Sequence, residues 1–274
     1  MKKQTLLLLA CLSVFYSTNP QAKEELVVRI NENAYPSGFK NALGWHGMDV
    51  DVLNELMSDT DLKYKVILMP FKRAMTEIAE GRIDLIANLT KSQQRSENMF
   101  WIGPLRTTKV GLVVLKSNQG TTINNIDELI SILELKQQQI GHVIGVSYSP
   151  SLDDILEHNT QFNGHIWKSA TRRQIIEMLH KDRIFGFFQD EFEARSLMAA
   201  NKDGHINAYS EFVIRESTID NALSGAYFGV SKHLEQTTID KLNRAFQQMQ
   251  QDGRLQKITE KWSSNPSVVG IEDN

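Results

Sequence analysis

Short runs of β-branched residues alternate with helical patterns along most of this chain, and that alternation restricts its fold more than any other feature. Residues 26–30 (LVVRI), 64–68 (YKVIL), 83–88 (IDLIAN) and 110–115 (VGLVVL) read as strands. Between the first two, residues 48–57 place Val52, Leu53, Leu56 and Met57 on one face of a helix. Pro70 suits the first turn of the next helix and Gly81 its end. The resulting βαβαβ order calls for a parallel sheet flanked by helices. A polar, turn-rich stretch at 116–125 interrupts the pattern, which then restarts. Strands are expected at 139–146, 165–167 and 184–188, and helices at 151–158, 171–180 and 191–201. A late strand at 225–230 leads into a long amphipathic helix at 234–251, with Gly253 as its cap, and a last helix at 254–262. The fold class is α/β, in two units.

The first 22 residues stand apart. Lys2 and Lys3 precede an apolar run, residues 6–16, broken only by Ser13. A membrane-spanning helix needs about 20 apolar residues, so this run fits the core of a secretory signal instead. Cleavage is expected after Ala22. The single cysteine, Cys11, lies inside the segment. The tetrapeptide LLAC at 8–11 also resembles a lipoprotein cleavage box, but too few apolar residues precede it, so lipid anchoring at Cys11 is the lesser alternative. A mature chain without cysteine has no disulfide, no thiol nucleophile and no Cys-based metal site. The expected location is the periplasm.

Charge and motifs exclude several functions. Thirty Lys and Arg against 33 Asp and Glu give a formal charge of −3, which argues against nucleic acid as a partner, because phosphate binding needs a basic surface. None of the seven histidines lies in an H-E-x-x-H or H-x-H setting, and no Walker loop or G-x-G-x-x-G occurs. The segment GVSYS at 145–149 lacks the last glycine of a nucleophile elbow. No cofactor, no metal and no enzymatic activity is expected, and the chain is expected to be a monomer.

Eight segments, in order, resemble the bacterial extracellular solute-binding protein family 3, the periplasmic binding proteins of amino-acid ABC importers. They are LVVRI with the loop AYPSGF (34–39), GMDVDVLNEL (47–56), EGRIDLI (80–86), TKSQQR (90–95), FWIGPL (100–105), FFQDEFEA (187–194) and the closing stretch 242–262. The resemblance implies a two-lobed fold with two hinge crossovers and a ligand held between the lobes. In that scheme residues 1–22 are the signal peptide and 23–115 the first part of lobe 1. Residues 116–225 form lobe 2, 226–262 return to lobe 1, and 263–274 are a flexible tail.

The resemblance also implies which residues meet the ligand. An amino acid offers a carboxylate and an ammonium, which suit an Arg fork and an acid. Arg95 and Asp190 hold the corresponding positions, with Thr90 and Asn88 beside the carboxylate, and Tyr35 and Phe71 as aromatic walls. A helix N-terminus in lobe 2 is expected to face the carboxylate, at Ser149 and Ser151. There the chain departs from the family's G-T-T: Ser149 replaces a glycine, and Pro150 has no N–H to donate. Leu105 replaces an aromatic, and the segment 84–95 is one residue short. The implied partners are a small-molecule ligand and the membrane permease of an ABC importer. A ligand-presenting protein for a separate sensory receptor is the alternative, and a cyclohexadienyl dehydratase-like enzyme a further one.

Overall fold

The computed structural model describes residues 25–31, 33–202, 211–216, 219 and 224–264. The expected signal peptide, with Cys11, and all but the first two residues of the expected tail lie outside these. The chain opens with β1 (Glu25–Arg29), then a small antiparallel sheet of β2 (Asn33–Ala34), β3 (Gly38–Asn41) and β4 (Gly44–His46). Next come α1 (Met48–Thr60), β5 (Lys63–Ile67), α2 (Phe71–Ala79), β6 (Leu85–Thr90), α3 (Gln93–Ser96) and β7 (Met99–Thr108). The second half holds β8 (Val110–Leu115), α4 (Ile126–Lys136), β9 (Ile140–Val143), α5 (Pro150–His158), α6 (Thr160–Asn163) and β10 (Ile166–Ser169). After these lie α7 (Arg172–His180), β11 (Gly186–Asp190), α8 (Glu191–Lys202), β12 (Phe212–Glu216), β13 (Ser224–Ser231), α9 (Gln236–Gln251) and α10 (Arg254–Ser264).

Two five-stranded sheets organise two lobes. The first has the order β5-β1-β6-β13-β7, the second β10-β9-β11-β8-β12. In each, three adjacent strands pair in parallel, as the βαβ alternation requires, and one strand runs opposite to the other four: β13 between β6 and β7 in the first, β8 between β11 and β12 in the second. The chain leaves the first sheet after Thr108 and enters the second at Val110, so β8 belongs with the second lobe rather than with the strands that precede it. It returns to the first sheet at Ser224.

The C-terminal helices close the first lobe. Leu242, Ala245, Phe246 and Met249 recur at helical spacing and are buried on one face of α9, packed toward α1. The matching face of α1 is Val52, Leu53, Leu56 and Met57. Trp262 on α10 is 2% exposed, edge-on to Tyr35 and Phe39 with ring centroids 6.5 and 6.0 Å away, and its Nε1 donates to Asp51 Oδ2 at 2.8 Å. Arg254 adds hydrogen bonds to Glu55 and Asp59 of α1. Truncating a buried Trp costs about 3–5 kcal/mol. Trp262→Ala is therefore expected to lower unfolding stability by that amount in a urea titration; a loss below about 1 kcal/mol would contradict this docking role.

Candidate functional site

The ends of β6 and β7 in the first lobe meet those of β9 and β11 in the second, and polar side chains bridge the junction. Arg95, in the first turn of α3, is 8% exposed. Its Nη1 donates to the Thr90 carbonyl at 2.8 Å, and its Nη2 crosses to the Gly145 carbonyl of the second lobe at 3.1 Å. Thr90 crosses too, its hydroxyl donating to the Ser147 carbonyl at 3.1 Å. The Phe71 ring lies 5.5 Å from the Arg95 guanidinium and 5.6 Å from that of Arg29. Gly145 is required where it stands: its φ is +85°, and a Cβ there would lie 3.3 Å from Phe71 Cδ1.

A second set of contacts centres on Glu193, in the first turn of α8 and 1% exposed. Its Oε1 accepts from Ser37 Oγ at 3.1 Å and from Asn88 Nδ2 at 2.6 Å, both on the first lobe, while Oε2 accepts from Arg172 Nη1 at 2.9 Å. Asn88 holds a left-handed backbone, φ 57°, which Asn tolerates better than most residues. Arg106, on β7 and 6% exposed, donates through Nη2 to Asn88 Oδ1 at 3.3 Å and to Asp190 Oδ2 at 3.1 Å, and stacks 4.9 Å from the Phe192 ring. Asp190 Oδ1 accepts the Glu193 amide at 3.1 Å, so Asp190 caps α8 as well as pairing with Arg106.

The first turn of α1 adds a third acid. Gly47, at φ +126°, lets that turn abut the loop carrying Ser37; a Cβ at Gly47 would sit 2.4 Å from the Ser37 carbonyl oxygen. The Asp49 amide donates to that same oxygen at 2.8 Å. The Asp49 side chain is 1% exposed, and neither carboxyl oxygen has a hydrogen-bond partner among the described residues.

These surroundings set the charge states. Burial pushes the Asp49 carboxyl up to about 7; Arg106 pulls it down in part, and Glu193 and Asp190 push it up further. Burial also acts to raise Glu193, but Arg172 and Arg106, with the hydrogen bonds from Arg172 and Asn88, outweigh it and hold the carboxyl below its usual range. Burial lowers Arg95, and Asp153 offsets part of that.

The structure thus gathers Arg95, Thr90, Asn88, Phe71 and Asp190 at one junction. Tyr35 lies elsewhere, 3% exposed and packed on Phe39 and Trp262, so it is an aromatic of the first lobe's core. Ser149 is fully buried and caps α5, accepting the Leu152 amide at 3.1 Å, while Ser151 is exposed in the first turn. The donors just ahead of α5 are engaged by the chain's own acid: the Tyr148 amide and the Ser147 hydroxyl both donate to Asp153. Leu105 is buried at 2%.

Known proteins share this architecture. The family model for bacterial extracellular solute-binding proteins, family 3, matches residues 26–265. The chain belongs to that family. The Probable amino-acid-binding protein YxeM of Bacillus subtilis (strain 168) is 25% identical over 98% of each chain. Among solved structures, an ancestral arginine-binding protein bound to arginine superposes with a TM-score of 0.72 at 22% identity, covering 88% of this chain and 99% of its own. The ancestral amino acid-binding protein AncCDT-1, a precursor of cyclohexadienyl dehydratase, gives 0.69 at 17% identity, covering 88% and 96%. Among the described residues of this family 3 member, no helix is long and apolar enough to cross a membrane.

Sequence reasoning missed Ser37, Asp49, Arg106, Arg172 and Glu193. Glu193 and Asp49 sit inside family-like segments but read as the acidic first turns that helices favour. Arg106 follows a glycine and a proline that hide the strand it belongs to.

A raised carboxyl means the folded state holds a proton that the unfolded chain has already lost, so stability falls as pH climbs from about 4 to about 7. A shift to about 7 corresponds to a penalty on the order of 4 kcal/mol above that window. Asp49→Asn removes the penalty. The melting temperature of the wild type should therefore fall relative to the variant between pH 5 and pH 8; a constant offset across that range would contradict the assignment.

Proposed function

We propose that this family 3 protein is a periplasmic binder that captures an amino acid between its lobes for delivery to the permease of an ABC importer. It acts as a monomer and is a binder rather than an enzyme. The names of its relatives support the ligand class: YxeM is described as a probable amino-acid-binding protein, and the ancestral structure holds arginine. In this reading residues 23–108 and 224–262 form lobe 1 and residues 110–216 lobe 2; the first crossover lies at the sheet change after Thr108, ahead of β8, whereas the sequence alone suggests a crossover behind that strand.

The observation that carries the reading is Arg95. A buried guanidinium stands at the lobe junction, held by main-chain carbonyls of both lobes and backed by Phe71. A ligand carboxylate there gains charge-assisted bonds from a group that already spans the gap, and Thr90 lies beside it. Contacts made to both lobes at once favour the closed arrangement, because a ligand shifts a conformational equilibrium only by its differential affinity for the two states. Two charge-assisted bonds at about 1.5–3 kcal/mol each approach the roughly 5.5 kcal/mol needed to move a population from 1:99 to 99:1.

The mature chain, residues 23–274, should gain melting temperature with at least one of the twenty L-amino acids, since a ligand that binds only the native state must stabilise it. Arg95→Ala should weaken that ligand roughly hundredfold in calorimetry while still melting cooperatively. A wild type indifferent to all twenty, or an Arg95→Ala variant with unchanged affinity, would contradict the proposal.

A further inference from the structure

We propose that Arg106 competes with the ligand's ammonium for Asp190, and that Asp49 takes up the guanidinium that the ammonium displaces. The inference rests on the reading of the chain as an amino-acid binder and deepens it by naming the residues that set how much the amine contributes to affinity.

Exposure picks out the acid that a ligand can reach. Three carboxylates surround Arg106: Asp190 at the end of β11, Glu193 in the first turn of α8 and Asp49 in the first turn of α1. The Asp190 side chain is 20% exposed, whereas those of Glu193 and Asp49 are buried. Arg106 already holds that acid, its Nη2 donating to Asp190 Oδ2 at 3.1 Å across the lobe junction. A cation of the chain itself thus stands on the one acid of these three that is open to solvent.

The guanidinium has a second acceptor. Nε and Nη1 of Arg106 are buried with no hydrogen-bond partner among the described residues, and so are both carboxyl oxygens of Asp49. The acids that pull on Arg106 are, in descending order, Asp190, Asp49 and Glu193. Glu193 stands 3.9 Å from Nη2, so the stronger pull of Asp49 places it at comparable range. Glu193 has no capacity to spare, because Ser37, Asn88 and Arg172 engage both of its oxygens. Asp49 offers two oxygens to two N–H groups, the forked pairing that a guanidinium and a carboxylate favour.

Charge counting supports the transfer. An ammonium and a guanidinium together on Asp190 would bury one uncompensated positive charge. With Arg106 on Asp49, Asp190 pairs with the ammonium, Asp49 with Arg106 and Glu193 with Arg172. Burial keeps the Asp49 proton up to about pH 7, and Arg106, Glu193 and Asp190 are the charged groups that act on it. The arriving guanidinium draws that proton off, as an opposite charge at close range does. Ligand binding below neutral pH therefore releases a proton from Asp49.

Calorimetry on the mature wild type, Arg106→Gln and Asp49→Asn tests both halves. The ligands are the tightest-binding of the twenty L-amino acids and its 2-hydroxy acid analogue, which keeps the carboxylate and side chain but has no ammonium. Arg106→Gln removes the competing charge and keeps a donor for Asn88. It is expected to tighten the amino acid roughly tenfold and to leave the hydroxy acid within about twofold. A gain confined to the amine-bearing ligand cannot come from a damaged fold. Repeating the amino-acid titration at pH 6 in buffers of different ionisation enthalpy counts protons: the wild type is expected to release about one, and Asp49→Asn none. Unchanged or weaker binding of the amino acid by Arg106→Gln would overturn the proposal. So would a wild type that releases no proton, or a release that survives in Asp49→Asn. If Arg106→Gln does not melt cooperatively, the proton count decides. A wild type that binds no amino acid fails at the earlier step, and the functional reading and this inference fall together.

Discussion

A buried carboxylate ties the two lobes to each other, beside the crossings made by Arg95, Thr90 and Arg106. Glu193 sits on the second lobe, and its hydrogen-bond donors come from both: Ser37 and Asn88 on one side, Arg172 on the other. A buried acid is tolerated only when hydrogen bonds and opposite charge replace its hydration. That requirement fixes where Ser37 and Asn88 must be, hence how the β2–β3 turn and the end of β6 stand relative to α8. Removing one partner of such a pair costs about 3–5 kcal/mol, because the remaining charge stays buried. Charge satisfaction at Glu193 is therefore one of the constraints that set the relative position of the lobes.

The same logic explains why the acids at the junction behave differently. Glu193 has two guanidinium neighbours and remains ionised. Asp49 is buried with no hydrogen-bond partner among the described residues, and its proton leaves only near neutral pH. Asp190 serves as a helix cap and as the anchor of Arg106. Three chemically similar side chains thus acquire three roles from their surroundings. The two glycines that matter, Gly47 and Gly145, act by allowing close approach: one brings α1 against the Ser37 loop, the other brings the second lobe against Phe71.

Much of the fold was legible because its signals are local. The strands of the two parallel sections and the helices α1, α2, α5, α7, α9 and α10 follow from apolar periodicity and from Gly and Pro punctuation. The failures have identifiable causes. β7 contains Gly103 and Pro104, and its residues 100–105 read as a family motif rather than as a strand. The small sheet β2–β4 has strands of two to four residues, too short for a periodic signal. Helix α4 carries a local signal of its own, since Ile126, Leu129, Ile130 and Leu133 recur at helical spacing behind Asn125, which caps it, but the polar stretch just ahead of it masks its start. Of the expected site residues, Arg95, Thr90, Asn88, Phe71 and Asp190 converge, whereas Tyr35 packs into the core and Ser149 is spent on a cap. Residues that act through a network, such as Arg106 and Glu193, carry no spacing rule of their own, because their partners come from distant segments.

Small-angle X-ray scattering of the wild type and Glu193→Ala, without added ligand, tests the tether directly. If Glu193 draws the lobes together, the variant has a larger radius of gyration than the wild type while its far-ultraviolet circular dichroism is unchanged. Identical scattering from two equally folded proteins would contradict the account.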